Sequence, residues 1–167
     1  MEELPGKPWN GQGDTAKVWK GLAEILAELE KHLFTKAGSL SVEAPNDLPS
    51  VSATASDRFA EQYLTLIADD NATLLSDSKD KFFLKHVDDK GDHLMVDEDL
   101  NITGIIDWQM ARIVPRREAF ALSLVSADMR ALCDGEVSLS TKDVALSNAL
   151  REKAADLASH MRDERVR

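Results

Sequence analysis

His86-Val87-Asp88, Asp92-His93 and Asp107 are the residues whose types and spacing in this chain suit chemistry. Asp88 follows the apolar run Phe82-Phe83-Leu84-Lys85-His86-Val87, His93 opens Leu94-Met95-Val96, and Asp107 closes Ile102-Thr103-Gly104-Ile105-Ile106. A carboxylate at the end of a buried strand is costly to place unless an ion, a partner or a reacting proton makes use of it. A loop carboxylate such as Asp88 can take the proton of a substrate hydroxyl. Asp107, with His93 or Asp92 as a further donor, can hold a divalent cation against phosphate oxygens. A base, a metal site and positioning are the inventory that phosphoryl transfer needs. The same cluster of His86, Asp88, Asp92 and His93 also admits Zn²⁺ and hydrolysis. That reading ranks behind, because there is no helical His-x-x-x-His and an acid stands two places after His86.

Positioning these groups requires an α-rich α+β fold. Val18, Leu22, Ile25, Leu26, Leu29 and Leu33 recur at helical spacing behind Asp14 and Thr15, which predicts a helix over 14–33. Further helices are expected over 57–68, 116–132 and 141–163, the last opened by a capping box of Ser140 and Asp143. Strands are expected at 82–87, 94–97 and 102–106, forming one small sheet. The second and third should pair as a hairpin through the turn Asp97-Glu98-Asp99-Leu100-Asn101, a stretch read as turn and nothing more. Residues 1–13 read as an irregular lead-in and 38–56 as a long loop. The whole, 1–167, reads as a single, incomplete domain, with a basic helical run at its end that has no cap.

Composition narrows the function classes. A chain of 167 residues with 43% apolar and 30% charged residues can bury a core, and only 5% aromatics make that core aliphatic. A net charge of −10 argues against nucleic-acid and anionic-membrane surfaces. Ten acids and four lysines between Asp69 and Leu100 put over half of that charge beside the candidate site. The single Cys133 allows no internal disulfide, and no signal peptide or membrane-spanning run is visible, so a cytoplasmic location is expected.

His86-Val87-Asp88, His93-Leu94-Met95-Val96 and Ile105-Ile106-Asp107-Trp108 resemble the catalytic core of the aminoglycoside phosphotransferase and choline kinase family, relatives of the protein kinases. In that family a His-Gly-Asp-Leu run leads to an Asn, a short Ile-Leu-Val strand and then Ile-Ile-Asp-Trp. Asp88 to His93, Glu28-Leu29-Glu30-Lys31-His32 and Lys36-Ala37-Gly38-Ser39-Leu40 look closest to a fungal branch. The resemblance implies a kinase-type C-terminal lobe, ATP as co-substrate, Mg²⁺ as cofactor and a small-molecule hydroxyl as acceptor. It implies Asp88 as catalytic base, His86 as the brace of the catalytic loop and Asp107 as metal ligand. His93 stands where the family has its metal-binding Asn, so either it or Asp92 supplies the second donor. Imidazole is a softer ligand than an amide oxygen and suits Mg²⁺ poorly.

The resemblance also marks what is different. Gly11-Gln12-Gly13 lies in no strand–turn–strand setting, and no Val-Ala-Ile-Lys-like strand precedes the first helix, so the nucleotide-covering lobe is not visible. The expectation is therefore a phosphotransferase-type domain with impaired activity. The alternative is a pseudokinase-like module kept for binding, or a remnant without catalysis. His93 as a loop-orienting group bonded to a backbone carbonyl stands beside His93 as a ligand. Asp89, Lys90 and Asp92 read as a solvated loop turned by Gly91, Trp108 as packing, and Arg112, Arg116 and Arg117 as surface charge. Exposed apolar surface is expected to favour self-association.

Overall fold

The computed structural model describes residues 5–41, 50–52, 81–136 and 138–161. Among them the elements are β1 (Lys7–Pro8), α1 (Thr15–Leu29), β2 (Gly38–Ser41), β3 (Ser50–Ser52), β4 (Phe82–Lys85), β5 (Leu94–Val96), β6 (Ile102–Ile105), a 3-10 turn (Trp108–Met110), β7 (Arg112–Pro115), α2 (Arg116–Ala119), α3 (Met129–Cys133), α4 (Thr141–Lys153) and α5 (Ala155–His160). The class is α+β with antiparallel sheets. The chain forms two compact units: residues 1–31, 88–109 and 120–167 make the first, and 32–87 with 110–119 the second.

In the first unit, Asp14 starts α1 by accepting the Ala16 amide at 3.1 Å. The helix buries Val18, Trp19, Leu22 and Ala23 and packs on α4. Ser140 and Asp143 form the reciprocal capping box that opens α4. Leu146, Leu150 and Leu157 are each fully buried, and removing one such side chain from water is worth about 1.5–3 kcal/mol. Lys153 reaches Glu24 at 2.7 Å and its ammonium holds the Glu24 carboxyl below its ordinary range. Both groups lie at the surface, so the apolar stripe, and not this pair, holds α1 to α4.

The same unit carries a three-stranded sheet in the order β1-β5-β6. Leu94 faces Ile105 and Met95 faces Gly104, with the register slipping between Met95 and Val96. Asp97 organises the hairpin turn: its carboxylate accepts the Asp99 amide at 3.0 Å and the Asn101 amide and side-chain N–H, both at 2.8 Å. Those bonds, the Asn101 side chain first, lower the Asp97 pKa. Trp9 packs edge-on to Trp19 with ring centroids 5.2 Å apart, and its amide donates to the Leu94 carbonyl.

The second unit holds a four-stranded antiparallel sheet in the order β3-β2-β7-β4. Phe83 and Val114, opposite each other in the ladder, are buried on one face, and Ile113 is buried on the other. Lys85 Nζ donates to the Glu118 carbonyl at 2.8 Å, which ties α2 to β4.

Several elements differ from what the sequence leads one to expect. The hairpin of 94–97 and 102–106 pairs as expected, yet residues 82–85 do not join it. They pair with β7, a strand hidden in Arg112-Ile113-Val114-Pro115 because two of its residues are Arg and Pro. Within the expected loop 38–56, Gly38–Ser41 and Ser50–Ser52 form strands, since Ser-Leu-Ser and Ser-Val-Ser alternate with period two. Lys7 and Pro8 of the lead-in add a short edge to β5. The expected helix over 116–132 is two short pieces, because Asp128 caps a fresh start at α3 by accepting the Arg130 and Ala131 amides, while Ser126 is tied to Asp143 farther along the chain. The final helix breaks at Ala154, whose φ is −149°, and resumes as α5. Leu33, counted on the buried stripe, is exposed because α1 ends at Leu29. The helix expected over 57–68 lies outside the described residues.

Candidate functional site

The site lies in the first unit, in the loop between Asp88 and the start of β5, with the end of β6 beside it. Gly91 turns the loop at φ +98°, and its carbonyl accepts the Leu94 amide at 3.2 Å. Room is not the issue there, since an added Cβ would meet Val125 and Trp9 only at ordinary contact distances. The conformation itself favours glycine. One carboxylate oxygen of Asp89 accepts the Leu124 amide at 3.0 Å, which pins the loop to the segment before α3. The Ile106 amide donates to the His93 carbonyl at 3.0 Å, carrying Asp107 to the same place. Asp107 sits at φ +62°, in the left-handed region that Asp and Asn tolerate best. The bend after it is closed by Trp108 Nε1 donating to the Ile105 carbonyl at 2.8 Å.

Asp88, His93 and Asp107 each bring one ligand atom into a group spanning no more than 4.8 Å. His93 Nδ1 lies 2.5 Å from the Asp88 carbonyl oxygen. A carbonyl oxygen can only accept, so the hydrogen sits on Nδ1 and donates. In the neutral ring Nε2 then presents a lone pair, 3.4 Å from Asp107 Oδ2 and 3.8 Å from Asp92 Oδ1. Electron-rich atoms facing each other across such a gap are stabilised by a cation between them. An ion bound at about 2.1 Å to each keeps two donors roughly 3 Å apart, so the His93–Asp107 pair is spaced for a divalent metal, and Asp88 would have to close in slightly to join it. His93 is the most enclosed of the group at 15% exposure, against 35% for Asp88 and 43% for Asp107, so the site opens outward through its carboxylates. Lys90 Nζ stands 2.7 Å from Asp88 Oδ1, and this pairing raises the Lys90 pKa.

The model of the phosphotransferase enzyme family (APH) matches residues 1–158. The chain belongs to that family. No curated protein matches this phosphotransferase-family chain.

Of the residues singled out from the sequence, Asp88, His93 and Asp107 come together in this family member, and Asp92 approaches His93 from the exposed side. His86 belongs to the second unit and is half-buried. Three further groups do more than the sequence suggests. Lys90 pairs with Asp88, where the charge pattern reads as a solvated loop. Asp89 anchors the loop through the Leu124 amide. Asp143, legible only as a capping residue, is fully buried and also accepts the Ser126 hydroxyl at 2.7 Å. The Ser140 hydroxyl bonds the Ser126 carbonyl at 2.7 Å, so this phosphotransferase-family chain staples the segment before α3 to the start of α4. Among the described residues, no helix is long and apolar enough to cross a membrane.

Proposed function

We propose that this family member moves the terminal phosphoryl group of ATP to the hydroxyl of a small molecule, on a lobe of the kinase C-terminal type. The reading is carried by the cluster of Asp88, His93 and Asp107, together with the histidine tautomer that turns Nε2 toward the carboxylates. Asp107 and His93 would hold the divalent cation, with Asp92 at its open side, and the cation would supply charge neutralisation on phosphate oxygens. Asp88 takes the proton of the acceptor hydroxyl. Its carbonyl orients His93 and its carboxylate is oriented by Lys90, so one residue links base and metal ligand. His86, two places before Asp88, keeps the loop-bracing role that the family pattern implies. A nitrogen donor favours Mn²⁺ over Mg²⁺ at this site.

One observation favours a binding module of low activity: Lys90 occupies the carboxylate that must act as base. ATP affinity of these 167 residues is expected to be weak, because no Gly-rich cover or phosphate-gripping lysine is legible in the sequence. The deciding experiment follows the loss of the free Mn²⁺ resonance signal on titration into protein, with Mg²⁺ as competitor. Wild type should bind Mn²⁺ more tightly than Mg²⁺, and Asp107→Asn should abolish binding while leaving the circular dichroism unchanged, since Asn tolerates the left-handed backbone. Binding unaffected by Asp107→Asn would overturn the metal assignment, and tight Zn²⁺ at one equivalent would favour the hydrolase reading. ATPase turnover that depends on Asp88 separates the catalytic reading from the binding module.

A further inference from the structure

Beside the loop lies an open groove of about 660 Å³, within the first unit. That volume suits a small organic molecule. The groove is joined to the candidate base twice: Lys90 lines it while pairing with Asp88 at 2.7 Å, and Leu124 lines it while its amide bonds Asp89 at 3.0 Å. Its charge runs against that of the chain. The protein as a whole has 30 acids to 20 bases, yet the charged lining is Lys90, Arg130 and Lys142 against Asp128 and Glu136. Asp128 is further committed to the backbone, its carboxylate accepting the Arg130 and Ala131 amides at 3.0 and 3.1 Å to cap α3. Leu124 and Met129 give the groove an apolar side as well.

We propose that this groove seats the acceptor, and that the acceptor is a small hydroxylated anion bearing a carboxylate or phosphate monoester, and not a polycation. The proposal rests on the phosphotransfer reading above. A polycationic acceptor would meet Arg130 and Lys142, Lys90 being paired with Asp88, and would find Glu136 as the one lining acid that caps no helix. An anion meets Arg130, whose planar fork matches a carboxylate or phosphate, and Lys142 beside it. The hydroxyl then faces Asp88. The acceptor O–H bond gives its proton to Asp88, the oxygen forms the new O–P bond, and the bond from the terminal phosphorus to the bridging oxygen breaks. ADP leaves with that electron pair.

The test uses three six-carbon polyhydroxylated probes of different charge, gluconate, glucose and glucosamine, titrated into the full chain and followed by amide chemical shifts. Gluconate should bind at least about tenfold more tightly than glucosamine, with shifts at Leu124, Arg130 and Lys142. The preference should shrink with added salt and disappear in R130Q/K142Q. Equal or tighter binding of glucosamine, no binding of gluconate, or an unchanged preference in R130Q/K142Q would each overturn the proposal. Mn²⁺ binding to the same samples keeps the two ideas separate. Anion preference absent with Asp107-dependent Mn²⁺ binding intact removes only the acceptor class, whereas loss of both removes the site.

Discussion

Replacing Asp143 with Ala should destabilise the first unit by about 3 kcal/mol, most of it from what the substitution leaves behind. Asp143 is fully buried, and its two oxygens accept the Ser126 hydroxyl at 2.7 Å and the Ser140 amide at 2.8 Å. Ser126 is fully buried too, so its orphaned hydroxyl has no route to water, which costs roughly 1–3 kcal/mol. The Ser140 amide is only half-buried and can be hydrated, so loss of the reciprocal cap adds about 1 kcal/mol. Relief of the desolvated carboxylate offsets part of this, which keeps the total in the middle of the range. Urea denaturation of Asp143→Ala, Ser126→Ala and the double variant forms the assay. In the double variant both partners are gone, so the second substitution should add little, giving a coupling energy of about 1–3 kcal/mol. Additive losses, within about 0.5 kcal/mol, would refute the hydrogen bond as the source of the stability. Because Ser140 also bonds the Ser126 carbonyl, the same variants should loosen the wall of the groove that Leu124 and Arg130 line.

Gly91→Ala should cost about 1–2 kcal/mol through its positive φ alone, since the added methyl finds only ordinary contacts. Unchanged urea stability would show that the loop relaxes without strain, and weaker Mn²⁺ binding should accompany the loss. Asp97→Ala should lower the melting temperature at neutral pH and leave it nearly unchanged in acid. The sign follows from the lowered pKa of Asp97: its contribution is fully present above the ordinary carboxylate value of about 3.9 and is lost as pH falls through the folded value. Melting curves of wild type and variant that stay parallel from neutral pH into acid would contradict that assignment.

The fold was legible where one residue pattern admits one partner. The stripe of α1 and the capping box at Ser140 are read directly, because helix faces and caps are local. The hairpin of β5 and β6 is nearly local, its register set by a five-residue turn around Asp97. Strand partners across long separations are not local. Phe82-Phe83-Leu84-Lys85 fits beside any strand with an apolar face, and it takes Ile113 and Val114 in preference to the hairpin next in sequence. The break at Ala154 follows neither Gly nor Pro. It lets Leu157 and Met161 reach full burial, a tertiary demand that residue propensity does not encode.

The candidate site was legible for a different reason. Asp88, His93 and Asp107 each border an apolar run, where a charged or titratable group is conspicuous. Lys90 was not, because a lysine in a polar loop carries no such contrast until the turn at Gly91 sets it beside Asp88. His93 shows how the two readings of one residue combine. Orientation of the loop through a backbone carbonyl and donation to a cation look like competing roles, but the imidazole has two nitrogens. The Nδ1–H bond to the Asp88 carbonyl is the loop-orienting contact, and it also fixes the tautomer in which Nε2 offers its lone pair toward Asp107. The bond that braces the loop is therefore the bond that makes ligation by His93 possible. His93→Gln tests that coupling. Its amide can reproduce one of the two contacts at a time, so the variant should retain the loop or the Mn²⁺ affinity, but not both. Retention of both would show that the two nitrogens act independently.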